Sequence, residues 1–367
     1  METLNYHFAG EESLDSPALV YHEDIIEANI DKALALAGGP ERMWPHVKTF
    51  KAPAVVRLLQ KRGIRRFKCA TIAEAEMCAR CGAEHILLSY PLVGPAIPRF
   101  AALRRRYAGS LFWALGDDMD QLALLGGAVP AGDPLPLLID VNTGMDRTGV
   151  GMDRLEAFSL RAGKIPGLRV MGFHCYDGHL ALKDSGARQE AAAAELEQVL
   201  ALRKSLESRG LELPVLVMGG TPTFPCHARR PEAFLSPGTA FVQDRGYQIK
   251  YPDLPFIPAA AVMARVISRP RQDLFTLDLG YKAVAADQEG ERGAVTDLPQ
   301  ARTETHSEEH WVFRAGPGPC PPVGAILHVV PTHICPTTAL YPGIHVVREG
   351  RLVNYWDVEA RSRKILI

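Results

Sequence analysis

The chain has 367 residues, of which 47% are hydrophobic and 23% charged, with a net charge of −1. That length suits one large domain with a smaller one, and that balance belongs to a globular protein with a sizeable core. A near-neutral chain carries no electrostatic footprint for nucleic acid or for an anionic membrane.

Residues 1–10 mix charged and polar side chains and lack the apolar core of a signal peptide. No apolar run reaches the roughly 18–20 residues that span a bilayer. The seven cysteines are odd in number and scattered, which fits reduced thiols and a cytoplasmic protein. Cys78 and Cys81 have the spacing of half a zinc site, but they fall in a helical pattern with no partner pair, so two buried thiols one turn apart are expected. Arg104, Arg105 and Arg106 read as the solvated face of a helix.

Strand patterns occur at 44–49, 67–71, 85–91, 111–115, 135–142, 168–175, 215–218 and 235–241. Helical segments such as 54–61, 72–81 and 188–208 separate them. Eight strand–helix units predict an α/β fold, a (β/α)8 TIM-type barrel over residues 20–251. Beyond Tyr251, strand patterns at 262–268, 274–279, 310–313, 325–330, 345–347 and 352–358 are joined by Gly- and Pro-containing links. They predict a mainly-β domain over 252–367, with residues 1–19 packed on it and 287–304 as an exposed loop.

Chemistry in such a barrel sits where strands end. The first strand ends in Pro45-His46-Val47-Lys48-Thr49. A lysine there is costly to bury charged, and a lysine of lowered pKa forms imines with aldehydes. Taken alone, it would be a snorkelling strand-end residue. Strands 7 and 8 meet Gly219-Gly220-Thr221 and Pro237-Gly238-Thr239, where glycine backbone and threonine hydroxyls suit a phosphate. Neither loop has the Gly-Lys-Ser/Thr of a triphosphate site. Strand 5 leads to Arg147, and strand 6 to Tyr176 and His179, a candidate acid/base cluster. In a strand, His333 and Cys335 would point to one side and could share a metal, a borderline-soft pair suited to zinc.

Together these motifs resemble the D-threonine aldolase and D-serine dehydratase family of pyridoxal-phosphate enzymes with the alanine-racemase-like fold. Pro45-His-Val-Lys48-Thr-Phe-Lys51, Cys69 to Glu76, Tyr90 to Gly94, Asp140 to Gly149, Tyr176 to His179, Gly219 to Thr223, Pro237 to Thr239, Glu308 to His310 and His333 to Thr337 match in order. The resemblance implies Lys48 as the Schiff-base lysine, Arg147 facing the pyridine nitrogen and Tyr176 lining the cofactor. It implies Gly220, Thr221, Gly238 and Thr239 as the phosphate cradle. His333 and Cys335 would hold a divalent metal, with zinc favoured over manganese or magnesium. Trp44 and Phe50 depart from the arginine and histidine usual in the lysine motif.

The implied activity is a pyridoxal-phosphate- and metal-dependent lyase acting on D-β-hydroxy amino acids, in a homodimer. Retro-aldol cleavage, with His179 taking the hydroxyl proton, makes a D-threonine aldolase. Proton removal at Cα by Lys48 makes a D-serine or 3-hydroxy-amino-acid dehydratase. A racemase and a non-catalytic pyridoxal-phosphate carrier are the remaining alternatives.

Overall fold

The computed structural model describes residues 4–130 and 132–366. They form two compact units. One contains Ala33–Lys48, Val55–Gly238 and the residues from 362 on; the other contains the residues up to 32, Thr49–Ala54 and Thr239–Arg361.

The first unit is the barrel. Parallel strands run in the order Arg66–Cys69, His85–Leu88, Leu111–Gly116, Leu135–Asn142, Leu168–Cys175, Val215–Met218 and Phe234–Leu235. The eighth stave is 43–46, which is not a regular strand. Met43 bridges Leu235 and His46 bridges Lys68, so this short segment closes the ring between the last strand and the first. Pro45 explains the irregularity, because it has no N–H to extend a ladder. The chain then tightens into a 3-10 turn, Val47–Thr49, where a strand to residue 49 was expected. The expected strand at 235–241 is cut short in the same way. Pro237 and Gly238 end it, and Thr239–Phe241 is a 3-10 turn.

Alternate strand residues fill the interior. Trp44, Leu87, Trp113, Leu115, Leu138, Val215 and Val217 form one buried cluster, joined by Met171 and Phe234. Trp44 sits at its centre, edge-on to Trp113 at 5.4 Å, and its indole N–H donates to the Phe67 carbonyl at 2.9 Å. The opposite faces meet helices, as where Phe112 packs edge-on against Phe100 of Ala96–Arg106. Side-chain caps start the helices close behind their strands. Thr71 opens Ile72–Arg80, Asp118 opens Met119–Gly127 and Asp184 opens Ser185–Ser208. Cys78 is buried with its sulfur 3.7 Å from that of Cys69, but Cys81, beyond the helix end, is only half-buried. No described helix is long and apolar enough to cross a membrane.

The second unit is strand-rich. Ala18–His22 lies between Ala260–Arg271, antiparallel, and Gly343–Arg348, parallel. Ala260–Arg271 also pairs with Leu274–Leu277 and Ile326–Pro331, and Gly343–Arg348 with Arg351–Asp357. Phe8, Ala18, Val20, Met263 and Val347 pack together here. The segment expected as a loop at 287–304 contains Gly293–Val295 and the start of Arg302–His306. The second of these is an exposed edge of polar residues, so no apolar alternation marks it. His333 and Cys335 do not lie in a strand. His333 is the N-cap of a helix, Ile334–Leu340, with Pro336 in the first turn, where its missing N–H costs nothing.

Replacing Trp44 by Ala should cost about 3–5 kcal/mol, as for other buried large aromatics. Urea unfolding of the two proteins measures this; a change under 1 kcal/mol would remove Trp44 from the centre of the barrel core.

Candidate active site

Three cations converge on one ring at the mouth of the barrel. The Nζ atoms of Lys48 and Lys68 lie 5.8 and 5.9 Å from the centre of the Tyr176 ring, and the Arg147 guanidinium carbon lies 4.8 Å from it. Among the described residues, neither Lys48 nor Arg147 forms an ion pair. A small open cavity here is lined by Ser89, Asp140, Asn142, Arg147, His174 and Tyr176, among others.

Each cation is placed by local chemistry. His46 Nδ1 accepts the Lys48 backbone N–H at 3.3 Å, and its Nε2 faces the Ser89 hydroxyl at 3.4 Å. The loop carrying Arg147 is wound about Asn142, whose Oδ1 accepts the N–H groups of Gly144 and Asp146 while its amide donates to the Asp146 carboxylate. Tyr176 is boxed by glycines. A Cβ on Gly178 would lie 2.5 Å from the ring, and one on Gly220 would lie 2.9 Å from it.

Lys68 is the residue that sequence reasoning missed. It is 3% exposed, and its Nζ is 3.4 Å from His174 Nε2. The parallel register sets His174 beside Asp140, and His174 Nδ1 donates to that carboxylate at 2.7 Å. The Thr148 hydroxyl donates to the other carboxylate oxygen at 2.7 Å. His174 Nε2 is therefore the lone pair that accepts from Lys68. Burial first, then the charge of Lys48, pushes the Lys68 amine down to about 7. Burial and Lys68 likewise lower His174. Asp140 is held low despite its burial, chiefly by the hydrogen bond from His174. The only signal in the sequence is a lysine at an inward position of a short strand, between Phe67 and Cys69.

The loop expected to hold phosphate is internally tied. Asp177 accepts from the Thr223 hydroxyl and from His227 Nε2, both at 2.7 Å and fully buried. The Gly220 N–H donates to Thr223 Oγ1 at 3.1 Å and the Gly238 N–H to Thr221 Oγ1 at 3.2 Å. His179 does not line the cavity. Its Nε2 is 2.8 Å from Glu195 on helix Ser185–Ser208, and its Nδ1 is buried without a hydrogen-bond partner. Burial raises Glu195, partly offset by Thr143 and His179.

In the strand-rich unit, His333 and Cys335 do come together, near enough for each to shift the other's protonation. Asp287 accepts from His333 Nδ1 at 2.6 Å. Cys335 Sγ is 3.2 Å from the hydroxyl of Thr49, the residue that follows Lys48, and 3.6 Å from that of Thr239. Thr239 is thus directed at the thiol. Asp244 accepts the Ile334 N–H at 3.2 Å and organises the helix start. Burial would raise the Cys335 thiol and lower His333. Their mutual attraction, with Thr49 on one and Asp287 on the other, reverses both, so Cys335 falls and His333 rises to about 9. A carboxylate on one ring nitrogen leaves the other for a metal, the arrangement common to histidine ligands.

The family model for the alanine racemase N-terminal domain matches residues 22–245, and one for a serine dehydratase domain matches residues 259–347. The chain is 29% identical to a D-threonine aldolase of Arthrobacter over 359 residues, 95% of this chain and 93% of that protein. It is 24% identical to a D-threo-3-hydroxyaspartate dehydratase of Delftia, over 94% of this chain and 97% of that one. The crystal structure of D-threonine aldolase from Filomicrobium marinum superposes with a TM-score of 0.88 at 26% identity, over 99% of this chain and 100% of that one.

Lys68 titrates at about 7 when folded and at 10.5 when unfolded. Between those values the unfolded chain binds the extra proton, so this residue makes stability rise with pH across that window. Below pH 7 its destabilising effect is complete. The stability of Lys68→Met relative to wild type, measured by urea unfolding of the cofactor-free protein, should therefore be greatest near pH 6 and decline toward pH 10. A difference that does not change with pH would show that Lys68 is not buried as a shifted amine.

Proposed function

We propose a lyase acting on D-configured β-hydroxy amino acids, starting from the fact that the chain belongs to the alanine racemase N-terminal-domain family. One observation carries the reading: two lysines and an arginine surround Tyr176, and Arg147 and Tyr176 line a polar cavity at the barrel mouth. Cations without acidic partners suit an anionic aldehyde, and pyridoxal phosphate is the cofactor that fits them. When bound, it supplies an electron sink for negative charge at Cα. The full-length likeness to D-threonine aldolases favours cleavage of Cα–Cβ to glycine and an aldehyde.

The chain's own residues take the following parts. Lys48, on its 3-10 turn, is the nucleophilic amine. Arg147 supplies fixed positive charge over the Tyr176 ring. Lys68 is held by His174 and Asp140, a chain along which a proton can move to and from a buried amine. His179, the expected base for a substrate hydroxyl, is turned onto Glu195 with its Nδ1 buried behind the cavity wall, so the base role passes to the groups that line the cavity. His333 and Cys335 would hold a divalent ion, zinc by the chemistry of the donors, which supplies Lewis-acid polarisation of an oxygen. Thr221 and Gly238 shape the barrel's phosphate end.

A panel of D-threonine, D-serine and D-threo-3-hydroxyaspartate with their L-enantiomers and product identification tests this reading. Acetaldehyde with glycine from D-threonine is expected. A 2-oxo acid with ammonia as the main products would make the protein a dehydratase, and turnover of only L-substrates would overturn the reading. Lys48→Ala should lose both the imine absorbance of the purified protein and its turnover. Asp287→Asn should weaken metal affinity by about 10–100-fold, followed by titrating metal back after chelation. Unchanged affinity would remove Asp287 from the site.

A further inference from the structure

We infer that His7, Glu11 and His328 form a second divalent-cation site, of the zinc class, separate from His333 and Cys335. One ligand atom from each of the three lies within 4.8 Å of the others. The Glu11 carboxylate takes His7 Nδ1 on one oxygen at 2.6 Å and His328 Nε2 on the other at 2.9 Å. Two imidazole nitrogens thus converge on the two oxygens of one carboxylate, the donor set of a single cation. Tetrahedral bonds of about 2.0–2.2 Å set ligand atoms about 3.3–3.5 Å apart, so each imidazole nitrogen needs to part from the carboxylate by less than an ångström.

The surroundings are those of a metal centre. Asp297 Oδ1 faces the second nitrogen of His7, Nε2, at 2.6 Å, and its other oxygen accepts the His328 backbone N–H at 3.1 Å. Asp297 therefore orients the His7 ring, as outer partners of metal-bound imidazoles do, and holds the backbone that carries His328. His328 is 0% exposed on the strand Ile326–Pro331, and the His7 ring stands edge-on to it at 4.8 Å. Among the described residues no lysine or arginine pairs with Glu11 or Asp297. Two carboxylates and two imidazoles complement a dication, and three protein ligands leave a fourth position for water. The ion would pin the segment at 7–11 to the strand carrying His328, so binding contributes to folding.

Zinc per chain, measured by elemental analysis on the full-length cofactor-loaded protein after gel filtration, tests the site. His7→Ala and Glu11→Gln should each lose about one zinc relative to wild type, and Cys335→Ala should keep the zinc that His7→Ala loses. If wild type holds a single ion that Cys335→Ala retains, this site stands and the metal role of His333 and Cys335 falls. Zinc content unchanged in both His7→Ala and Glu11→Gln overturns the inference. Cobalt(II) added to the metal-free Cys335→Ala protein gives an independent reading without altering the cluster. Tetrahedral d–d absorption supports the site, and its absence rejects it.

Discussion

A few backbone hydrogen bonds around Pro45 hold the barrel mouth in register. The Trp44 N–H donates to Leu235 at 2.7 Å and the His46 N–H to Pro237 at 2.8 Å, while the Pro45 carbonyl accepts from Lys68 at 2.8 Å. This stitched segment replaces a full strand, and the chain is free to turn immediately after it. That turn carries Lys48. The same bonds fix Lys68 through its own backbone, so both amines depend on one closure. Trp44 secures it from below by filling the barrel interior, which gives the departure from the usual lysine motif a packing role.

The second consequence is a concentration of positive charge. A buried ammonium is expensive unless paired, and Lys68 has only an imidazole, itself held by Asp140. Such a group is neutralised easily and is suited to proton movement. Around it the loops are rigid for identifiable reasons. Asn142 winds the loop that carries Arg147, and the buried Asp177 locks the segment from Gly220 to His227. Arg147 and the Gly220 segment are therefore held by loops tied through their own side chains, which limits reorganisation when charge develops.

Within the strand-rich unit, one strand relates two imidazole clusters. His328 lies inside Ile326–Pro331 and His333 two residues past its end. Both histidines are oriented by acidic side chains from distant parts of the sequence, Glu11 and Asp297 for one and Asp287 for the other. The clusters differ in their remaining donor. A thiolate softens the site at Cys335, whereas His7 makes the other a nitrogen and oxygen set.

The order of strands and helices, the barrel and the lysine at its first strand end were legible in the sequence, because hydrophobic periodicity and helix caps are local signals. The turns after strands 7 and 8 and the proximity of His333 to Cys335 were legible as well, while their roles toward phosphate and metal belong to the proposal. The pairing was reached through the wrong local geometry, since Pro336 reads as a breaker although it also suits a helix's first turn. Lys68 was not legible as a site residue. Its meaning comes from His174 and Lys48, which only barrel closure brings near. Likewise nothing in sequence spacing joins residues 7 and 11 to 297 and 328. Local pattern determines which element forms; the charge environment of a side chain depends on what the closed sheets carry to it from far along the chain.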